Sequence, residues 1–313
     1  MRYYFAPMEG ITDAPYRRVH HSFFPGLDAY YMPFISPTMH RTLTNRESRD
    51  LPMADSVPFR AVPQILTKVP EDFLWAADQC AQRGYDEVNL NVGCPSGTVV
   101  SKGKGAGMLT DPAKLDEFLD KTFENATLPI SVKTRLGMSD AEEFPKILDI
   151  FNQYPIKELT IHPRVRKQFY NGGVDMEMFR YALENSKNKL CYNGNLRTLS
   201  EVRAFEAAFP QVEAVMIGRG LVGNPAMFHP GTSAQTIRAF HDALLDTYIE
   251  TFGSARNAIF RLKENWHCMI LLFDGSEKLW KKLRKTTDIA GYRAITAEIF
   301  ATLPMCSELQ ADW

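Results

Sequence analysis

At 313 residues, with 45% hydrophobic and 23% charged side chains, the chain has apolar material for one large domain and a smaller one. A formal net charge of −1 excludes a uniformly basic nucleic-acid binder, so any basic surface must be local. No apolar run approaches the ~18 residues of a membrane span, the first residues lack a signal-peptide core, and the five cysteines show neither Cys-x-x-Cys pairing nor metal-ligand spacing, which together predict a cytoplasmic protein with reduced thiols, no membrane and no metal.

Short apolar runs predict eight strands: Tyr3–Ala6, Ala29–Met32, Ala61–Leu66, Glu87–Val92, Ile130–Arg135, Glu158–His162, Leu190–Asn193 and Ala214–Gly218. Helical patterns lie between most of them. Val69-Pro70-Glu71 opens one, which Gly84 is placed to close in a left-handed conformation. Asp111-Pro112, an N-cap with proline at the first helical position, opens another towards Phe123. The stretch Pro33–Pro58 is the least regular. Repeated strand–helix alternation over about 220 residues fits a (β/α)8 TIM barrel of the α/β class better than an open doubly wound sheet. After Pro230 the strand signal stops. Thr232-Ser233-Ala234-Gln235 resembles a capping box, and helical periods continue to Leu303. The expected organisation is a catalytic barrel over residues 1–230 and a small all-α bundle over residues 231–313.

In a barrel, one side of each strand faces the helices and the other faces the interior. Outward positions are steadily apolar: Val88, Leu90 and Val92; Ile130 and Val132; Leu159 and Ile161; Leu190 and Tyr192; Val215 and Ile217. The opposite parity carries Gln64, Asn91, Lys133, Arg135, His162, Arg164 and Asn193, all at carboxyl ends, where barrel enzymes keep their chemistry. Any one of them alone reads as a satisfied core residue. Together in one layer, unpaired polar groups would cost several kcal/mol, so a ligand is expected. The turns Asn193-Gly194-Asn195 and Gly218-Arg219-Gly220 follow the last two strands, where backbone N–H groups and Arg219 suit a phosphate. Gln64 and Lys133 supply donors for the carbonyls and ring nitrogens of an isoalloxazine, which makes FMN a better fit than a sugar phosphate.

Ala6-Pro7-Met8-Glu9-Gly10-Ile11-Thr12-Asp13, Asn91-Val92-Gly93-Cys94-Pro95, Val132-Lys133-Thr134-Arg135-Leu136-Gly137, Asn193-Gly194-Asn195 and Met216-Ile217-Gly218-Arg219-Gly220 resemble the dihydrouridine synthases, flavoenzymes that reduce uridine in tRNA. The match runs in order from residue 6 to about residue 228. The resemblance implies FMN held by Pro7, Met8, Glu9, Gln64, Lys133, His162, Asn193, Gly194, Asn195, Gly218 and Arg219, with NADPH as reductant and Cys94 as the acid. It implies hydride delivery from reduced FMN to C6 of uracil and protonation of C5 by Cys94, with Asn91 and Arg135 against the uracil or flavin. Two departures stand out. The family commonly has Asp-x-Asn before Gly-Cys-Pro where this chain has Asn89, and His-Gly-Arg where it has His162-Pro163-Arg164.

The glycine-rich segment Ser96–Leu109, with Lys102 and Lys104, reads as a mobile lid. Its Gly103-x-Gly105-x-Gly107 does not follow a strand directly and is no dinucleotide loop. Cys80, Cys191, Cys268 and Cys306 read as packing, and His20-His21 as a solvated helix surface. A uridine stacked in folded RNA must be drawn out, which needs phosphate contacts beyond the pocket. Lys278, Lys281, Lys282 and Lys285 fall on one helical face, beside Arg284 and Trp280. Arg164, Arg166, Lys167 and Lys102 are expected nearer the target base. The partner expected is RNA, tRNA before ribosomal RNA, bound by a monomer. Two competing readings are an FMN barrel acting on a free pyrimidine, which leaves the basic helix idle, and an RNA-binding module with a decayed site, which leaves Cys94 and Lys133 idle.

Overall fold

A computed structural model describes residues 1–311 of the chain. Its strands are β1 (Arg2–Phe5), β2 (Ala29–Tyr31), β3 (Ala61–Val62), β4 (Gln64–Ile65), β5 (Val88–Val92), β6 (Ile130–Arg135), β7 (Leu159–His162), β8 (Leu190–Tyr192) and β9 (Ala214–Ile217). All are parallel, in the order β3-β2-β1-β9-β8-β7-β6-β5-β4. The two ends of that order flank Pro63, which has no N–H to give a ladder. Its carbonyl still accepts from the Asn89 N–H at 2.8 Å. The ring therefore closes, and β3 with β4 makes one stave. Every expected strand is present; the third is the one that differs, broken at its proline.

The inter-strand helices begin as their punctuation predicts. Asp111 caps Pro112–Asn125 by accepting from the Lys114 N–H, and Pro70 starts Pro70–Ala81. Gln82, rather than Gly84, is the cap of the latter, and the left-handed glycine follows two residues on. The outward parity also holds: Val88, Leu90, Val132, Ile161, Tyr192 and Ile217 join the main apolar core under the helices. Inside the ring a separate small cluster, including Tyr4, Tyr31, Val62, Cys191 and Met216, fills the barrel. At the amino ends Glu87 meets Arg60 and Lys157, each at 2.7 Å, and Glu158 meets Arg2 at 2.9 Å.

Beyond Gly231 come the helices Ala234–Phe252, Ala255–Met269, Glu277–Lys285 and Ile289–Thr302. Ser233 is the first cap, accepting from the Thr236 N–H; the reciprocal bond of a capping box is not made, because the helix starts one residue later than the motif requires. These helices share a polar heart in which Tyr292 Oη accepts from Trp266 Nε1 at 2.9 Å and meets His241 Nε2 at 2.8 Å. They pack onto the first barrel helix, Ala14–Phe23, through Phe240 against Tyr16. Tyr248 donates to Asp13 at 3.0 Å across the same junction. Among the described residues no helix is long and apolar enough to cross a membrane.

His20 is a correction. It is buried, with Nδ1 2.8 Å from Tyr30 Oη and Nε2 3.0 Å from the Pro225 carbonyl. Spaced four residues from both Tyr16 and Phe24, it shares their apolar stripe and so faces inward with them. Burial pushes its pKa down to about 3, so the folded protein holds it neutral while the unfolded chain takes up a proton below the ordinary value of 6.5. Its stability contribution is present above that value and is lost as pH falls towards 3. In H20Q the melting temperature is expected to be lower at neutral pH, and to fall less than the parent's between about pH 7 and about pH 5, as thermal denaturation would show.

Candidate active site

The carboxyl ends of the strands surround a cavity of about 310 Å³. Each stave contributes to its wall: Pro7, Met8 and Glu9 after β1, Pro33 and Phe34 after β2, and Gln64 in β4. Asn91 and Cys94 come from the end of β5, Lys133 and Arg135 from β6, and His162 from β7. Asn193, Gly194 and Asn195 follow β8, and Gly218 with Arg219 follows β9. Strand alternation and barrel closure thus bring fourteen of the anticipated side chains and backbone turns into one wall.

Cys94 is half-buried, and its turn is tightly held. Asn91 Oδ1 accepts from the Gly93 N–H at 3.1 Å and the Cys94 N–H at 2.9 Å. The segment after it is folded against the cysteine, contrary to the expectation of a loose lid. It forms the short helix Gly97–Val100 and a 3-10 turn at Gly105–Thr110, and the Ala106 N–H donates to the Cys94 carbonyl at 3.1 Å. Gly105 has φ +58°, and a Cβ there would come within 2.9 Å of Cys94 Cβ and O, so only glycine lets the two backbones approach. Ala106, Met108 and Leu109 are buried beneath it, which ties the segment down.

Lys133 lines the cavity and has no hydrogen-bond partner among the described residues. Burial, with Arg135 adding like charge, lowers its pKa to about 7. His162 is likewise held neutral: burial depresses its pKa well below 6.5, assisted by Arg135, Lys133 and Arg164. Arg164 Nη1 lies 3.1 Å from His162 Nε2. A guanidinium only donates, so Nε2 accepts and the ring proton sits on Nδ1. Lys133 and the neutral His162 ring therefore both border a half-open space. On the other side Arg219 Nη2 reaches Asn195 Oδ1 at 3.4 Å, joining the turns after β8 and β9. The Gly194 position cannot hold a Cβ, which would overlap the Tyr192 hydroxyl at 1.9 Å. A half-buried lysine amine without a partner, amide donors and two close-packed backbone turns suit a planar ring carrying a phosphate.

The other anticipated residues lie outside the wall, and two residues of the wall itself, Arg135 and Glu9, are engaged away from the cavity. Arg164 is a correction: it is fully buried, outside the cavity wall, and its guanidinium also donates to the Gly172 carbonyl at 2.6 Å. It braces His162 from behind and does not reach solvent, because the loop ending at Gly172 folds over it. Arg135 is in the wall, but three of its bonds go to backbone carbonyls, of Gly93 at 2.9 Å, Phe169 at 2.7 Å and Val165 at 3.3 Å. Arg166 is half-buried and donates to the Pro95 carbonyl at 3.2 Å. Lys102 is exposed beyond the rim, and Lys281, Lys282 and Lys285 are exposed on the helix Glu277–Lys285. Glu9 projects to the surface, where it pairs with Arg46. Tyr170 is a wall residue that sequence reasoning missed. Half-exposed, it lies 5.3 Å from the Arg135 guanidinium and 5.2 Å from that of Arg219, with its ring edge-on to His162. Phe169 before it has φ +52°, rare for a bulky residue, and so turns the chain back over the opening. The aromatic pair between Lys167 and Gly172 was the available signal.

The chain matches the family model described as dihydrouridine synthase over residues 4–297. It is 30% identical over 228 residues to tRNA-dihydrouridine synthase B of Pasteurella multocida (strain Pm70), covering 72% of this chain and 68% of that protein. It is 28% identical over 316 residues to a probable tRNA-dihydrouridine synthase of Staphylococcus aureus (strain MRSA252), covering 95% and 93%. Among solved structures it resembles a morphinone reductase mutant in complex with tetrahydroNAD, with a TM-score of 0.51 and 11% identity, covering 72% of this chain and 85% of that one. That likeness concerns the fold alone.

With a pKa lowered to about 7, the Lys133 amine is largely neutral at about pH 8, where exposed lysines remain charged. Brief treatment with an acylating reagent at increasing pH, read by peptide mass spectrometry, is expected to modify Lys133 with a midpoint near pH 7. A midpoint at the ordinary lysine value would show that the ammonium is solvated.

Proposed function

The chain belongs to the dihydrouridine synthase family, and on that premise we propose how its cavity divides the work of reducing uridine in tRNA to 5,6-dihydrouridine. The protein is a flavin-dependent oxidoreductase. FMN is the flavin proposed, and when reduced it supplies the hydride for C6 of the uracil. The lysine amine of Lys133 carries this reading: it has no hydrogen-bond or ion-pair partner among the described residues, and it lines the cavity, where a flavin ring would offer it acceptor atoms.

Lys133 and Gln64 would present donors to the ring, with His162, Pro7 and Met8 in the same wall. The turns Asn193–Asn195 and Gly218–Arg219 would hold the phosphate. Arg219 adds a charge-assisted contact. Cys94 holds the proton for C5 on its sulfur, and the two bonds that the Gly93 and Cys94 N–H groups donate to Asn91 Oδ1 keep that sulfur at the mouth. Tyr170 and the Arg135 side chain form the wall against which a displaced base can stack. NADPH is the proposed reductant.

The folded tRNA requires contacts outside the cavity. The exposed face of Lys278, Lys281, Lys282 and Lys285, with Arg284 over Trp280 at 5.5 Å, is the proposed phosphate footprint of the helical segment 231–313. Arg166 and Lys102 extend it towards the rim. A barrel acting on a free pyrimidine gives this basic face no work, so the RNA reading is preferred.

Cys94→Ala protein is expected to keep bound FMN and NADPH oxidation while dihydrouridine in tRNA, measured by mass spectrometry, falls by about 100-fold or more. Undiminished product would remove the thiol from the acid role. Replacing Lys281, Lys282 and Lys285 together by glutamate is expected to weaken tRNA binding and to flatten its log–log salt dependence by about two to three units. An unchanged slope in a filter-binding salt titration rules out that footprint.

A further inference from the structure

The barrel interior contains one continuous line of hydrogen bonds that runs from its floor to the catalytic turn. Glu87, Asn89 and Asn91 alternate along β5 and the residue before it, so their side chains share the inner face. Register places Gln64 beside Asn89 on one neighbour and Ser131 beside Asn89 on the other. From the top, the Gly93 and Cys94 N–H groups donate to Asn91 Oδ1 at 3.1 and 2.9 Å. Asn91 Nδ2 donates to Gln64 Oε1 at 2.7 Å, and Gln64 Nε2 to Asn89 Oδ1 at 2.8 Å. Asn89 Nδ2 donates to Ser131 Oγ at 2.9 Å, and Ser131 to Glu87 Oε1 at 2.6 Å. Gln64, Asn89 and Ser131 are no more than 1% exposed, so water cannot substitute for a missing partner.

Both ends of this line have fixed chemistry. A backbone N–H can only donate and an ionised carboxylate can only accept. Each amide between them therefore has one orientation. Turning Gln64 alone would set nitrogen against nitrogen on one side and oxygen against oxygen on the other. All the dipoles point the same way, which strengthens each bond through its neighbours.

We propose that Asn89 and Glu87 are positioning residues that fix which way round the Gln64 and Asn91 carboxamides lie, and so make Gln64 a donor to the cavity. With Oε1 turned to Asn91 and one Nε2–H given to Asn89, the second Nε2–H is the donor that Gln64 has left for the cavity that it lines. Glu87, anchored by Arg60 and Lys157, is the charge at the foot of the line. This places the anchoring carboxylate one layer below position 89, where the family motif has aspartate. Carboxylates at both positions would compete for the single Ser131 proton and repel one another. With aspartate at 89 and glutamine at 87 the line is again complete: Ser131 donates up to the new carboxylate and accepts from the new amide below. The identity of the cavity's ligand rests on the FMN reading given above.

The experiment compares the parent with N89D, E87Q and the double variant N89D/E87Q. FMN binding to the apo-protein is measured by flavin fluorescence, and Cys94 alkylation by iodoacetamide is measured without ligand. Each single change is expected to weaken FMN binding about tenfold, the cost of one misfit buried hydrogen bond, and the double variant to return within about threefold of the parent. The alkylation rate follows the same pattern, because the line ends on the Cys94 N–H. Losses that add in the double variant, to about a hundredfold, overturn the proposal, as do alkylation rates alike in all four proteins. A merely damaged fold would not be rescued by a second change. If the parent itself binds no FMN, the flavin reading fails, and the alkylation series still decides the line.

Discussion

Side chains alternate along a closed ring of parallel strands, and every polar group sent inward has to find its partner there, since water is excluded. This constraint governs the barrel. At the floor it is met by ion pairs among Glu87, Arg60 and Lys157, and in the middle by the amides of Asn89, Gln64 and Asn91. At the top it is met by Arg135 and by the Nη groups of Arg164, which are committed to backbone carbonyls and to His162. Among the described residues Lys133 at the open end of the barrel has no hydrogen-bond or ion-pair partner, and Thr160 Oγ1 and Arg164 Nε are likewise left without one.

The same constraint explains why the cysteine can sit at a mouth and still be well positioned. Its backbone, rather than its sulfur, is held: Asn91 Oδ1 takes its N–H, the Ala106 N–H takes its carbonyl, and Gly105 allows the second backbone to come close. The thiol remains half-buried and accessible while the turn that carries it is rigid. Preorganisation of this kind costs nothing at the moment of reaction, since the order is already present in the folded chain.

The helices after Gly231 join the barrel close to that mouth. Tyr248 reaches Asp13, and Arg261 donates to the Gly10 carbonyl, in the segment that follows β1 and continues the wall formed by Pro7 and Met8. Burial raises the Asp13 carboxyl to about pKa 6, and nearby Asp50 adds to the effect. The helix Glu277–Lys285, with its basic face, belongs to the segment that these contacts join to the barrel.

The strand pattern, the inward parity and the two glycine turns were legible in the sequence because each follows from local periodicity and backbone sterics. So were the cavity residues Gln64, Asn91, Cys94, Lys133 and His162, since a polar side chain at the carboxyl end of an apolar strand has few other uses. The family motifs added the flavin and the uridine. What pairs with what was decided only by the tertiary structure. Nothing local distinguishes Arg135 and Arg164, which turn back into the protein, from an arginine that reaches solvent. His20 was misread because a helix face is buried or exposed according to what packs on it, here Phe240 from far along the chain. Tyr170 entered the wall through a left-handed residue at Phe169 that no propensity favours. Periodicity is a property of neighbours along the chain, whereas hydrogen-bond partners and burial are set by neighbours in space, and only the closed ring determines those.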